Sequence, residues 1–118
     1  MKSNELKRRT KEFGLSVIRI VETLPKTKTA EVVGRQLLRC ATAVGANYRA
    51  ACRARSQADF VSKIGVVEEE ADESAYWLEV LTEVKVVHGN GVASLLKEAH
   101  ELTAIFAASE KTARQHLR

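Results

Sequence analysis

The chain has 118 residues, 45% apolar and 29% charged, with one Pro, six Gly and 5% aromatic residues. That length suits a single domain over residues 1–118 that buries its core without staples, and so few turn formers imply long elements with few connections. No run approaches the roughly 18 apolar residues of a membrane span and MKSNELKRRTKEF holds no apolar stretch of signal-peptide length, so a cytoplasmic protein with no membrane contact is expected.

The periodicity predicts four helices. The first covers about Asn4 to Thr23, with Leu6, Phe13, Val17, Ile20 and Leu24 at three- and four-residue steps, and Pro25 stops it. Thr27 or Thr29 caps a second helix that reaches about Ala54. Ser56, with Asp59 three residues on, resembles a capping box and opens a third helix reaching His88. Its apolar seam is Phe60, Ile64, Val67, Ala71, Ser74, Leu78 and Leu81, a heptad pattern over three repeats. Gly89 is placed for a left-handed cap and Asn90 for the next N-cap. A fourth helix carries Val92, Leu95, Leu96, Ala99, Leu102 and Phe106 and is expected to fray into EKTARQHLR. Four helices with short links and no strand-like alternation give an all-α, up-and-down antiparallel four-helix bundle.

Charge is distributed unevenly along these elements. Residues 1–63 hold 14 Lys/Arg against 5 Asp/Glu, a net of +9, and residues 64–118 hold 5 against 10, a net of −5, giving the formal +4. On the second helix, taken at about 100° per residue, Arg39, Arg49 and Arg53 fall within roughly 40° of Arg35. Val33, Leu37, Cys40, Val44, Tyr48 and Ala51 cluster opposite. Gly34, Ala41, Gly45 and Cys52 form a strip of small residues that lets another backbone come close. On the third helix Glu68, Glu69, Asp72, Glu73, Glu79 and Glu83 lie opposite the seam with Tyr76 at their centre. Glu70 sits beside the seam near Ser74 and Trp77, a candidate partly buried carboxylate.

Catalytic, cofactor and metal residues are not expected. A carboxylate-bridged two-metal centre in a bundle needs Glu-x-x-His on two helices. Here His88, His100 and His116 are preceded three residues earlier by Lys85, Lys97 and Ala113. There is no phosphate-binding Gly loop and no nucleophile elbow. Cys40 and Cys52, about 18 Å apart along one helix at 1.5 Å per residue, are beyond disulfide reach and read as reduced hydrophobes.

The stretch RCATAVGANYRAACRARSQADFVSKIGVVEEEADESAYWLEVL resembles the centre of the small bacterial four-helix-bundle proteins often encoded in intervening sequences of large-subunit ribosomal RNA genes. The likeness spans the chain: a first helix ending at LP, the Arg-x-small-x-x-small-Gly-x-Asn run at 39–47, the Ser-x-x-Asp-Phe opening at 56–60, and EEADESAYWLEVL at 69–81. It implies a bundle that assembles as a ring, typically a pentamer. A related accessory variability determinant of diversity-generating retroelements implies binding to nucleic acid and to a reverse transcriptase, so RNA, DNA or an RNA-associated protein are implied partners beside the protein itself. The usual Asn-Ile-Ala-Glu-Gly run reads Asn47-Tyr48-Arg49-Ala50-Ala51 here, which is more basic and more helical.

The arginines Arg35, Arg39, Arg49 and Arg53 thus have three readings: a solvated face, a phosphate-binding stripe, or a contact with a neighbouring subunit. In a head-to-tail ring the basic face of one protomer meets the acidic face of the next, with Tyr76, Asp72, Glu73, Glu79 and Glu83 as interface candidates and the small-residue strip at the contact. The expected function is that of a non-enzymatic, homo-oligomeric scaffold whose basic surface binds RNA or DNA backbone without sequence readout. The alternative is a protein–protein module in which the arginine stripe serves the subunit contact and no nucleic acid is bound.

Overall fold

Apolar residues at three- and four-residue spacing can be buried only if helices share their stripes, and four such helices do so around one core. In the computed structural model, which describes residues 1–87 and 90–117 and residue 90 by its backbone alone, these are α1 (Ser3–Glu22), α2 (Lys28–Ala51), α3 (Gln57–Glu83) and α4 (Asn90–Gln115). Each helix packs antiparallel on the next, α4 returns to α1, and the rod measures 50 × 23 × 21 Å. The two diagonal pairs, α1 with α3 and α2 with α4, make no close backbone approach among the described residues. Tyr48 and Phe106 bridge the second diagonal through their rings, with centroids 5.2 Å apart.

The core follows the apolar stripes. All six α2 positions, Val33, Leu37, Cys40, Val44, Tyr48 and Ala51, are buried, and so is the α3 seam from Ile64 to Leu81. Phe60 is only half-buried, and Val61 takes the first core position of α3 instead. Two polar side chains lie in the core, and each is satisfied by the preceding turn of its own helix. Thr10 Oγ1 donates to the Leu6 carbonyl and Ser74 Oγ to the Glu70 carbonyl, both at 2.8 Å.

The helix starts are set locally. Thr27 Oγ1 accepts from the Ala30 N–H and Ser56 Oγ from the Asp59 N–H. Asp59 does not close the box on Ser56, since its short side chain accepts instead from the Arg55 N–H, one residue earlier, at 3.1 Å. Three helix ends differ from the sequence expectation. The second helix stops at Ala51, so Arg53 stands in the turn beyond it. The third helix stops at Glu83, not His88, because Lys85 turns left-handed at φ 59°. Val86 N–H then bonds the Leu81 carbonyl and Lys85 N–H the Thr82 carbonyl, the paired bonds of a Schellman cap. The expected caps at Gly89 and Asn90 lie outside the described residues. The fourth helix does not fray after Phe106 but continues to Gln115, since Ala113 is buried and Gln57 Nε2 donates to its carbonyl at 3.1 Å.

Candidate functional site

The four arginines are all exposed, yet they do not form one stripe. They span an arc of about 80° on a helix flanked by two neighbours, so the residues at its edges reach different partners. Arg39, at one edge, leans on α3: Nη2 donates to Glu73 and Nη1 lies 3.5 Å from Glu70 Oε2. Arg35 pairs one turn back with Glu31 at 3.0 Å. Arg49, at the other edge, faces α1. Arg53 and its neighbour Arg55 stand in the α2–α3 turn, and neither guanidinium forms a salt bridge among the described residues, although Asp59, which pairs with Lys63, accepts from the Arg55 backbone N–H at 3.1 Å.

The acidic arc of α3 is divided in the same way. Glu73 accepts from Arg39 and from Trp77 Nε1, the latter at 3.2 Å. Glu70 is half-buried as the sequence suggests, and burial holds its carboxyl above the usual carboxylate range while Arg39 pulls it back down. Asp72, Tyr76 and Glu83 are exposed and Glu79 is half-buried. Tyr76 is 56% exposed and stands edge-on to Trp77, with ring centroids 4.8 Å apart. Burial and a hydrogen bond with Glu110 of α4 raise the Glu68 carboxyl, whereas Arg114 at 2.7 Å lowers that of Glu110.

The small-residue strip of α2 is taken up inside the protomer, by α1. A side chain at Gly45 would meet the Thr10 carbonyl at 3.4 Å, and one at Gly14 the Ala41 carbonyl at 3.6 Å. This corrects the expectation that the strip as a whole serves a neighbouring subunit, because α1 packs along it, although Gly45 keeps one open edge. The close approach leaves an open groove of about 320 Å³ between α1 and α2, lined by Gly14, Leu15, Ile18, Thr42, Gly45 and Ala46, with Lys7, Lys11 and Arg49 at one end. None of these three cations pairs with a described carboxylate. By contrast, Arg9 on the other side of α1 holds both Glu98 and Glu101 of α4, at 2.6 and 2.8 Å.

Lys7 and Lys11 belong to the basic run KRRTK of the first helix, which the sequence counts toward a nucleic-acid surface, but they were not among the named contact residues. Their one-turn spacing, continued by Leu15 and the exposed Ile18 on the same stripe, is the sequence signal for them. Their nearness to Arg49 depends on the register of α1 against α2, which no local pattern carries.

Among the described residues no three His, Cys, Asp or Glu side chains gather where they could hold a metal ion, and no helix is long and apolar enough to cross a membrane. Cys40 and Cys52 are free thiols, the first buried and the second half-buried, and burial raises the Cys40 thiol above its usual range.

An elongated antiparallel bundle of four helices belongs to the class of small helical-bundle proteins. Residues 2–108 match the family described as 23S rRNA-intervening sequence protein, and the chain belongs to that family. Its fold is similar to the crystal structure of a protein with unknown function from the S23 ribosomal protein family of Bacteroides thetaiotaomicron. That likeness has 31% identity, covers 94% of this chain and 99% of the other, and has a TM-score of 0.85. No curated protein matches the chain.

Proposed function

We propose that this chain is a non-enzymatic scaffold that assembles with copies of itself, as a pentameric ring, and presents the basic end of each bundle to nucleic-acid phosphates. The observation that carries the reading is the pair of exposed guanidinium groups, Arg53 and Arg55, that form no salt bridge among the described residues at the turn after α2. Both border a shallow surface with Lys63 and Asp59, of which Lys63 already pairs with Asp59. Guanidinium forks suit phosphate oxygens, and a ring repeats each patch around one rim. Arg35 and Arg39 take a smaller part, because Glu31, Glu70 and Glu73 already neutralise them. Among the described residues the aromatic side chains nearest the turn, Tyr48 and Phe60, are buried and half-buried and offer bases no exposed platform, so binding follows the backbone and not the sequence.

The test is affinity for a short single-stranded RNA at several salt concentrations, for the wild type and for Arg53→Gln/Arg55→Gln, with mass followed by light scattering. The variant should keep its assembly and bind RNA more weakly, and its slope of log affinity against log salt should flatten by about 0.7 for each phosphate that the protein ceases to neutralise. An unaltered slope and affinity would remove the nucleic-acid half of the reading and leave a protein–protein module.

A further inference from the structure

We infer that the α1–α2 groove is the receptor for the outer face of α3 in a second copy of this chain, with Tyr76 of that copy as the anchor. The inference rests on the self-assembly proposed above and specifies its two surfaces. The groove has a small, apolar floor at Gly14, Gly45 and Ala46, an apolar wall at Leu15 and Ile18, and a volume of about 320 Å³, room for one aromatic side chain. Ile18 is 37% exposed and Tyr76 56% exposed, so each leaves apolar area in water that the other can cover.

The charges match along the same line. On α1, Lys11 and Lys7 lie about one and two turns before Leu15, and with Arg49 they have no carboxylate partner among the described residues. On α3, acids flank Tyr76 at comparable steps: Asp72 and Glu69 on one side, Glu79 and Glu83 on the other. Asp72, Glu69 and Glu83 are exposed and form no ion pair among the described residues. A basic groove with an apolar floor and an acidic helix with an aromatic centre are complementary in charge and in shape.

The arrangement also explains where the two surfaces lie. Helices α1 and α3 occupy opposite corners of the bundle, so the groove and the Tyr76 face point away from each other. A protomer cannot satisfy its own groove, and each pairing leaves one groove and one acidic face free for the next copy. That is a head-to-tail arrangement, which closes into a ring when the rotation per subunit allows.

Paired cysteines test it. In a Cys52→Ser background, with Cys40 left buried, Ile18→Cys and Tyr76→Cys are placed in one chain and oxidised, beside the two single-cysteine controls. The expected result is a ladder of disulfide-linked multimers from the paired variant and none beyond dimer from either control. A multimeric mass by light scattering without that ladder would overturn the groove assignment while leaving self-assembly in place. A monomeric wild type at micromolar concentration would overturn both.

A second pair of variants is independent of oxidation. Lys11→Glu/Arg49→Glu and Asp72→Lys/Glu79→Lys should each raise the dissociation constant of assembly by about thirtyfold or more, the scale of an interface hot spot. Combining all four changes in one chain should recover most of the affinity. A combined variant weaker than either parent would sink the assignment. Ala46→Trp, at an exposed position of the groove, should fill it and lower the mass with the helical signal retained; an unaltered mass would count against the groove.

Discussion

Arg39 on α2 donates to Glu73 on α3, and Glu73 accepts in turn from Trp77 Nε1 at 3.2 Å, so one carboxylate ties the basic helix to the acidic one inside a single protomer. The pair sits beside half-buried Glu70, whose only cationic neighbour among the described residues is the same guanidinium. The charges that face each other across α2 and α3 are therefore partly neutralised within the chain, and what remains for a partner is displaced toward α1 on one side and toward Tyr76 on the other.

Arg39→Gln should lower the melting temperature slightly, as removal of an exposed ion pair does, and should leave Glu70 without the charge that opposes its burial. The Glu70 carboxyl, already above its usual range, should then titrate higher still. A raised carboxyl costs stability that is fully felt above its folded pKa and vanishes below its ordinary value of 4.5. The stability gap between wild type and variant should therefore narrow as pH falls through that window. Carbon-detected NMR titration of Glu70 checks the direction, and an unmoved Glu70 would mean that Arg39 does not act on it.

Leu78→Ala should cost about 2–5 kcal/mol in chemical denaturation, because a fully buried Leu at mid-seam leaves a cavity that four packed helices cannot close. A cost well under 1 kcal/mol would mean that α3 is rotated from this packing.

Lys85→Gly should stabilise the protein by about 0.5–1 kcal/mol. A side chain in the left-handed region costs roughly 1–2 kcal/mol, and glycine returns part of that gain as extra freedom of the unfolded chain. Equilibrium denaturation with an unaltered m-value is the check, and a destabilised variant would place Lys85 outside the cap.

Gly45→Leu should destabilise by about 1–3 kcal/mol, because a branched side chain has to displace the α1 backbone that lies 3.4 Å from the first added carbon. Gly65→Ala is the control. Its nearest neighbour is the flexible carboxylate of Glu110 at 3.5 Å, and the change should be neutral or slightly stabilising through helix propensity.

The helices, their N-caps at Thr27 and Ser56, and the buried stripes were legible in the sequence because each depends on residues three or four apart and on nothing further away. The family likeness was legible for the same reason, since it rests on runs of neighbouring residues. Of the three helix ends that escaped, two are held by structure that composition does not signal: a lysine in the role usually given to glycine at residue 85, and a hydrogen bond from Gln57 to the last turns of α4. The fate of the arginines was not legible at all. Their azimuths were correct to the precision of a helical wheel, but a guanidinium reaches several ångströms, and a difference of about 40° around α2 decides whether it finds α1, α3 or water. Register between helices, set by the packing of Gly45 on Thr10 and of Ser74 on Cys40, chose Glu73 for Arg39 and left Lys7, Lys11 and Arg49 together without an ion pair among the described residues. Which charges are neutralised and which remain for a partner is a property of that through-space register, and only the tertiary structure holds it.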